Sequence, residues 1–233
     1  VECAVRSRIP TEDKGEFWVH LYVNNRDQEH HLAIVYGNMR SRTVDLPRPG
    51  ETEFDRISRG ACPLEKLAEV QASTASWEST TAQTKEGEDE DPSSAPLARI
   101  HSACFTGETI LSARCDCAEQ LHTAMRAMHE ATSDPTSPPG VILYMRQEGR
   151  GIGLPNKLRA YNLQDLGHDT VTANLLLDLP EDGRRYDIAA AMLRDLGVGR
   201  VRLMTNNPAK IKGVQEGGVR VVERRGMVPE RWK

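Results

Sequence analysis

Cysteines at 104, 115 and 117, in the stretch RIHSACFTGETILSARCDC, constrain the fold of this chain more than any other feature. If the three sulfurs converge, the backbone must double back between Cys104 and Cys115, and FTGET offers Gly107 for that turn. Side chains alternate across an extended strand, so an extended 115–117 would aim Cys115 and Cys117 one way and Asp116 the other. Three thiolates without a local fourth suit a zinc that keeps one position open for water, the arrangement of a catalytic rather than a stapling zinc. The spacing is not the paired Cys-x2-4-Cys pattern of structural zinc, and ordinary reduced thiols near each other by chance are the alternative. Cys3 and Cys62 lack such neighbours and read as structural thiols.

Five cysteines, an odd number, do not form a secreted disulfide framework and favour a reducing compartment. No apolar run approaches the roughly 20 residues that span a bilayer, so no membrane is expected. The cytoplasm is the default expectation, although the chain begins at Val1 and a leader trimmed before it is compatible with that start. Net charge is −4, yet residues 68–97 hold seven acids against the single base Lys85, so the remainder is slightly basic. That stretch shows no apolar period and ends in EGEDEDPSSAP, which reads as a solvated, disordered insertion. Aromatic residues are only 5% and the bases are interleaved with glycines and carboxylates, so nucleic acid is not an expected partner.

Two short β-branched and aromatic runs, GEFWVHLYV and HHLAIVYG, flank NNRDQE and predict a hairpin. LARIHSA, VILYM, VRLMT and VRVVER predict further strands. Leu121, Ala124, Met125 and Met128 recur at three-four spacing and predict a helix, with His122 and His129 facing solvent. A helix from Pro155 to Leu166 is expected to carry Leu158, Tyr161 and Leu166 at similar spacing, and another from Tyr186 to Leu196 stops at Gly197. In NNPAKIKGV, Pro208 suits the first position of a last helix. The mixture predicts the α+β class, with helices gathered on one side of a sheet.

The second half carries three anion-friendly stretches. RQEGRGIG combines Gly149, Gly151 and Gly153, which let backbone amides approach an anion, with the forked donors of Arg146 and Arg150. Glu148 among these cations fits two roles: acceptor for the N–H edge of a guanine, or a salt bridge to Arg146 or Arg150. PEDGRRYD sets Asp182 two residues before Arg184, an acid and a cation able to orient water and to stabilise phosphate charge. TNNPAK adds Thr205 and Lys210 beside a helix start. Together they favour a polyphosphorylated ligand.

The strings RIHSACFTGETILSARCDC, RQEGRGIGL, KLRAYNLQDLGHDTV and MTNNPAK occur in the order they take in GTP cyclohydrolase II, and the chain resembles that family over roughly 97–226, as a fungal-type member with an insertion. The resemblance implies a mixed-sheet or barrel-like core divided as 1–67, a β-rich part of the catalytic domain, the insertion 68–96, and the catalytic core 97–233. It implies hydrolysis of GTP at the entry to riboflavin biosynthesis, with release of formate and pyrophosphate, one zinc per chain, Mg2+ on the substrate phosphates, and a homodimer. Cys104, Cys115 and Cys117 match the zinc ligands. Arg99, Ile100, His101, Ser102 and Ala103 match the stretch lining the nucleotide, with further contacts at Gln120, Glu148, Gly149, Arg150, Thr170, Thr205 and Lys210. Tyr161 matches a tyrosine tied to catalysis, Asp182 the proton acceptor, and Arg184 the nucleophile at phosphorus. A guanidinium is a poor nucleophile unless deprotonated, so an electrostatic role for Arg184 is preferred. The family usually carries a glutamate where this chain has Ala103, which leaves open a paralogue that acts on, or merely binds, another nucleotide. Family members usually also run some tens of residues past the point matching Lys233, so a further tail is expected.

Overall fold

A computed structural model describes residues 1–70, 72 and 91–227. Most of the acidic stretch and residues 228–233 lie outside the described residues, and so does the expectation of disorder there. Seven strands form one sheet: β1 (Glu2–Pro10), β2 (Glu16–Val23), β3 (His31–Tyr36), β4 (Leu97–Ser102), β5 (Gly140–Met145), β6 (Arg200–Met204) and β7 (Arg220–Arg225). Their order is β1-β2-β3-β5-β4-β6-β7. The expected hairpin is β2 with β3, paired from Trp18↔Val35 to Tyr22↔His31. β3 joins β5 antiparallel, Leu32 facing Tyr144 and Tyr36 facing Gly140, so the N-terminal meander and the later strands share one sheet. Beyond that seam, β5, β4, β6 and β7 run parallel. The sheet is open, with β1 and β7 at its edges, rather than the barrel-like core expected from the resemblance.

Helices cover both faces, which corrects the expectation of one-sided packing. The helix α3 (Cys117–Ala131) lays Ala124 and Met128 on Tyr36, Leu97, Ile142 and Met204. On the opposite face α6 (Asp187–Asp195) and α7 (Pro208–Glu216) pack Met192, Leu193 and Val214 against Ala98, Ile100, Val141 and Leu143. The cause is legible in β5: GVILYM is apolar at successive positions, so both of its faces must be covered. Met128 and Leu193 are each 0% exposed, and burial of such a side chain is worth about 1.5–3 kcal/mol. The remaining helices are α1 (Glu53–Ser58), α2 (Phe105–Glu108), α4 (Leu154–Asp165) and α5 (Thr170–Leu176), the last not anticipated from the sequence. No helix among the described residues is long and apolar enough to cross a membrane.

Parallel β4, β5 and β6 end at the same edge of the sheet, so the segments after Ser102, Met145 and Met204 converge there. Clefts at the carboxyl ends of parallel strands are common ligand sites.

Candidate functional site

A cleft of about 440 Å³ opens at that edge, walled by the segments after β4 and β5 and by α3, α4 and α5. Cys104 leaves β4 and precedes α2, Cys115 lies in the following turn, and Cys117 is the first residue of α3. The expected extended 115–117 is therefore not found: Asp116 caps the helix at φ −108°, ψ 18°. The sulfurs meet all the same, with Cys104 Sγ 3.5 Å from Cys115 Sγ and all three within 4.8 Å of one another. Gly107 contributes space rather than a turn: a Cβ there would stand 2.6 Å from Cys115 Sγ and 3.3 Å from Cys104 Sγ. Hydrogen bonding to Cys117, supported by the Lys157 ammonium, pulls the Cys104 thiol down to about 4, while Cys104 in turn pushes Cys117 up. Three thiols this close cannot all ionise by themselves, and a divalent metal would take the place of the remaining protons. A cleared cradle of three sulfurs thus fits a metal ion.

Two carboxylates brace the cradle. Glu108 accepts from the Cys104 amide at 2.9 Å and the Tyr144 hydroxyl at 2.7 Å, and lies 2.8 Å from His101 Nε2. Glu148 accepts from the Phe105 amide at 2.7 Å and from Lys157 Nζ at 2.6 Å. Neither Arg146 nor Arg150 is its partner; Arg146 turns away to within 3.7 Å of Glu29, on the far side of the loop from the cleft. The loop itself runs through left-handed backbone at Gly149 (φ 61°), Arg150 (φ 63°) and Gly151 (φ 89°).

Cations share the cleft with the sulfurs. Buried Arg99 donates to the Met204 carbonyl at 3.1 Å and to Gln120 Oε1 at 2.6 Å, leaving its Nε without a partner among the described residues. Lys210, 6% exposed, donates to the Ile100 carbonyl at 2.7 Å. Burial, added to by the charges of Arg99 and Arg184, pulls the Lys210 ammonium down to about 7. Arg184 is gripped by Asp182 through Nε at 2.9 Å and through Nη2, and that pairing raises its already high pKa. Burial pushes the Asp182 carboxyl up, but Arg184 more than offsets it and the net shift is down.

The cleft gathers Arg99, His101, Ser102, Ala103, the three cysteines and Gln120, together with Glu148, Gly149, Arg150, Tyr161, Thr170, Arg184 and Lys210. Ile100, Thr205 and Asp182 do not line it. Ile100 is in the core on the opposite face of the sheet and contributes only its carbonyl, and Thr205 is buried with its hydroxyl accepting from the Asn207 amide at 3.0 Å. On α4 the expected apolar face is also corrected: Leu158 and Leu166 are 46% and 76% exposed, whereas Lys157, Ala160, Tyr161 and Gln164 wall the cleft. Tyr161 Oη is 3.0 Å from Thr106 Oγ1, and Arg114 stacks 4.8 Å from its ring centroid. Lys157, Glu108 and Arg114 were not singled out in the sequence. The signal for Lys157 was its four-residue spacing from Tyr161, which places both on one helical face.

A sulfur cradle that shares a cleft with buried cations describes a site able to hold a metal ion beside an anionic substrate. The family model described as GTP cyclohydrolase II matches residues 68–226. A GTP cyclohydrolase-2 of Meyerozyma guilliermondii is 48% identical over 244 residues, covering all of this chain and 72% of that protein. One of Saccharomyces cerevisiae is 46% identical over 254 residues, covering all of this chain and 72% of that protein. A third, of Acinetobacter baumannii strain AYE, is 54% identical over 136 residues, covering 58% of this chain and 65% of that protein. The chain belongs to the GTP cyclohydrolase II family.

Proposed function

We infer that the chain is a GTP cyclohydrolase II, which hydrolyses GTP to a 2,5-diamino-6-ribosylamino-pyrimidinone 5′-phosphate with release of formate and pyrophosphate at the first step of riboflavin biosynthesis. The observation that carries this is the meeting, in one cleft, of the three sulfurs and the cations Arg99, Arg184 and Lys210. One end suits the base and the other the phosphates.

Cys104, Cys115 and Cys117 would hold one zinc per chain. Bound there, zinc supplies hydrolytic chemistry at neutral pH, because it lowers the pKa of a water from about 15.7 to near 7. Tyr161, oriented by Thr106 and Arg114, is placed to donate a proton during opening of the imidazole ring. Glu148 would accept from the base, and Gln120, Arg150 and Thr170 would add further nucleotide contacts. Among the described residues the Lys210 ammonium has Ile100 as its partner, which leaves N–H donors for a ligand that brings negative charge. Mg2+ carried on the substrate phosphates would add to the positive charge that the cleft presents to them.

Arg184 acts as a fixed cation on the developing phosphate charge rather than as the nucleophile. The Asp182 grip that positions it also raises its pKa, so the neutral guanidine needed for attack is disfavoured further. Asp182 is then the orienting carboxylate and the local proton acceptor. A second copy of the chain is the proposed partner, since Ile110, Leu111, Leu166, Leu175 and Leu176 are 59%, 77%, 76%, 59% and 56% exposed in the segments flanking the cleft. Sedimentation at micromolar concentration separates a dimer from a monomer. The cytoplasm is the proposed location.

Ala103 supports one rival, a paralogue that turns over or binds a different nucleotide. The carboxylate of Glu108 already stands at the Cys104 amide, which weakens that rival. Equal yields of formate and pyrophosphate from GTP favour the cyclohydrolase; tight GTP binding with neither product favours the paralogue.

A further inference from the structure

Lys157 lies in the cleft wall with its side chain only 12% exposed. Its ammonium is 3.1 Å from Cys104 Sγ and 2.6 Å from Glu148 Oε1. Glu148 returns through its other oxygen to the Phe105 amide, next in sequence to Cys104. Sulfur, ammonium, carboxylate and amide thus close a ring that ties the segment after β4 to the loop after β5. Gly149 makes room for it: a Cβ there would stand 3.0 Å from Lys157 Cβ.

We propose that Lys157 is a positioning residue of the cyclohydrolase reaction, whose fixed positive charge helps balance the three-sulfur cradle and locks it to the Glu148 loop. The inference rests on reading the cradle as the zinc site of a GTP cyclohydrolase II. Three thiolates around a divalent ion leave one net negative charge, and the ammonium, shared between Cys104 and Glu148, offsets part of it. An N–H donated to a thiolate also withdraws electron density from the metal, so the ion stays a stronger Lewis acid; such outer contacts commonly change metal-site activity by roughly 10–100-fold. Tyr161 lies within reach of the same charge, its ring centroid 5.8 Å from the ammonium. One side chain therefore spans the metal cradle, a nucleotide loop and the catalytic tyrosine.

The test compares the wild-type chain with Lys157→Met and Lys157→Arg after cobalt substitution, reading the sulfur-to-cobalt charge-transfer band alongside formate and pyrophosphate release. Lys157→Met should shift the band to longer wavelength, because the sulfur becomes more electron-rich, and should lower kcat for formate roughly 10–100-fold with a smaller change in KM. Pyrophosphate release should persist, and Lys157→Arg should restore both band and kcat in large part. If Lys157→Met does not fold, Lys157→Gln, which removes the charge and keeps a polar side chain, carries the same expectation. An unmoved band, or a kcat loss that Lys157→Arg leaves uncorrected, overturns the role of Lys157 while leaving the enzyme assignment intact. A wild-type chain that takes up no cobalt and releases no formate overturns the zinc-enzyme reading, and this inference with it.

Discussion

Two buried cations in this molecule are treated in opposite ways. Arg56, 1% exposed, has its guanidinium filled by the Cys62 carbonyl at 2.8 Å, the Asp45 carbonyl at 3.1 Å and Glu51 at 3.2 Å. The ammonium of Lys210, 6% exposed, has the single partner Ile100 among the described residues. A buried charge left short of partners is costly, and an unligated protein keeps one where a ligand completes it. Arg59, which shares Glu51 with Arg56, is filled as well, by Glu51 and the Val44 and Leu46 carbonyls. In the cleft, Arg99 Nε, His101 Nδ1 and Asn174 Oδ1 lack partners among the described residues. Unpartnered buried atoms also occur outside the cleft among those residues, at Arg6 Nε, both His20 ring nitrogens and the Tyr36 and Tyr186 hydroxyls, so the contrast is one between Arg56 and Lys210 themselves.

Substitution at the two cations should break the comparison first. Arg56→Met should cost about 3–5 kcal/mol in urea unfolding, since it takes the donors from the Cys62 and Asp45 carbonyls and one of the two arginines from Glu51. Lys210→Met should leave the ligand-free protein as stable as before or more so, and lower GTP turnover roughly 10²–10³-fold. Equal destabilisation by both would erase the distinction.

The pH dependence of Lys210 sharpens it. With its folded pKa pulled from the ordinary lysine range to about 7, the charge is present below that pH and lost above it in the free protein. GTP affinity in the wild type should therefore weaken as pH rises from about 7 to 9, by up to roughly 50-fold if binding requires the charged lysine. Stability of the free protein should move the other way over that window, because the unfolded chain binds the extra proton. Both trends should flatten in Lys210→Met, as followed by nucleotide titration and thermal melts.

Arg184 tests the cleft from its phosphate end. Arg184→Ala should stop pyrophosphate release, and Arg184→Lys should recover part of it, roughly 10-fold or more, if the role is electrostatic. A nucleotidyl adduct trapped on Arg184, or no recovery with lysine, would favour attack on phosphorus by the guanidine. The smallest effect belongs to the acidic stretch: deletion of residues 73–90 should leave turnover within a few fold, since no chemistry-bearing residue has been assigned there.

The hairpin, the helix of Ala124 and Met128 and the meeting of the sulfurs were legible because each rests on local spacing. The two-sided packing was present in the unbroken apolar run GVILYM but was outweighed by the count of strands in the N-terminal half. Leu158 and Leu166 misled because period alone cannot distinguish a core face from an exposed one, while Lys157 and Tyr161 on the same helix turn out to serve the cleft. The partner of Glu148 was not readable at all. Lys157 reaches it only through the tertiary approach of α4 to the loop after β5.

The most direct test of a zinc-bearing cleft that opens GTP measures metal content, formate and pyrophosphate on one sample of the chain supplied with GTP and Mg2+, beside the same measurements on Cys115→Ser. One zinc per chain and equal yields of both products are expected in the wild type, with zinc and formate lost and some pyrophosphate release kept in the variant. Zinc and formate both surviving in Cys115→Ser would contradict the assignment.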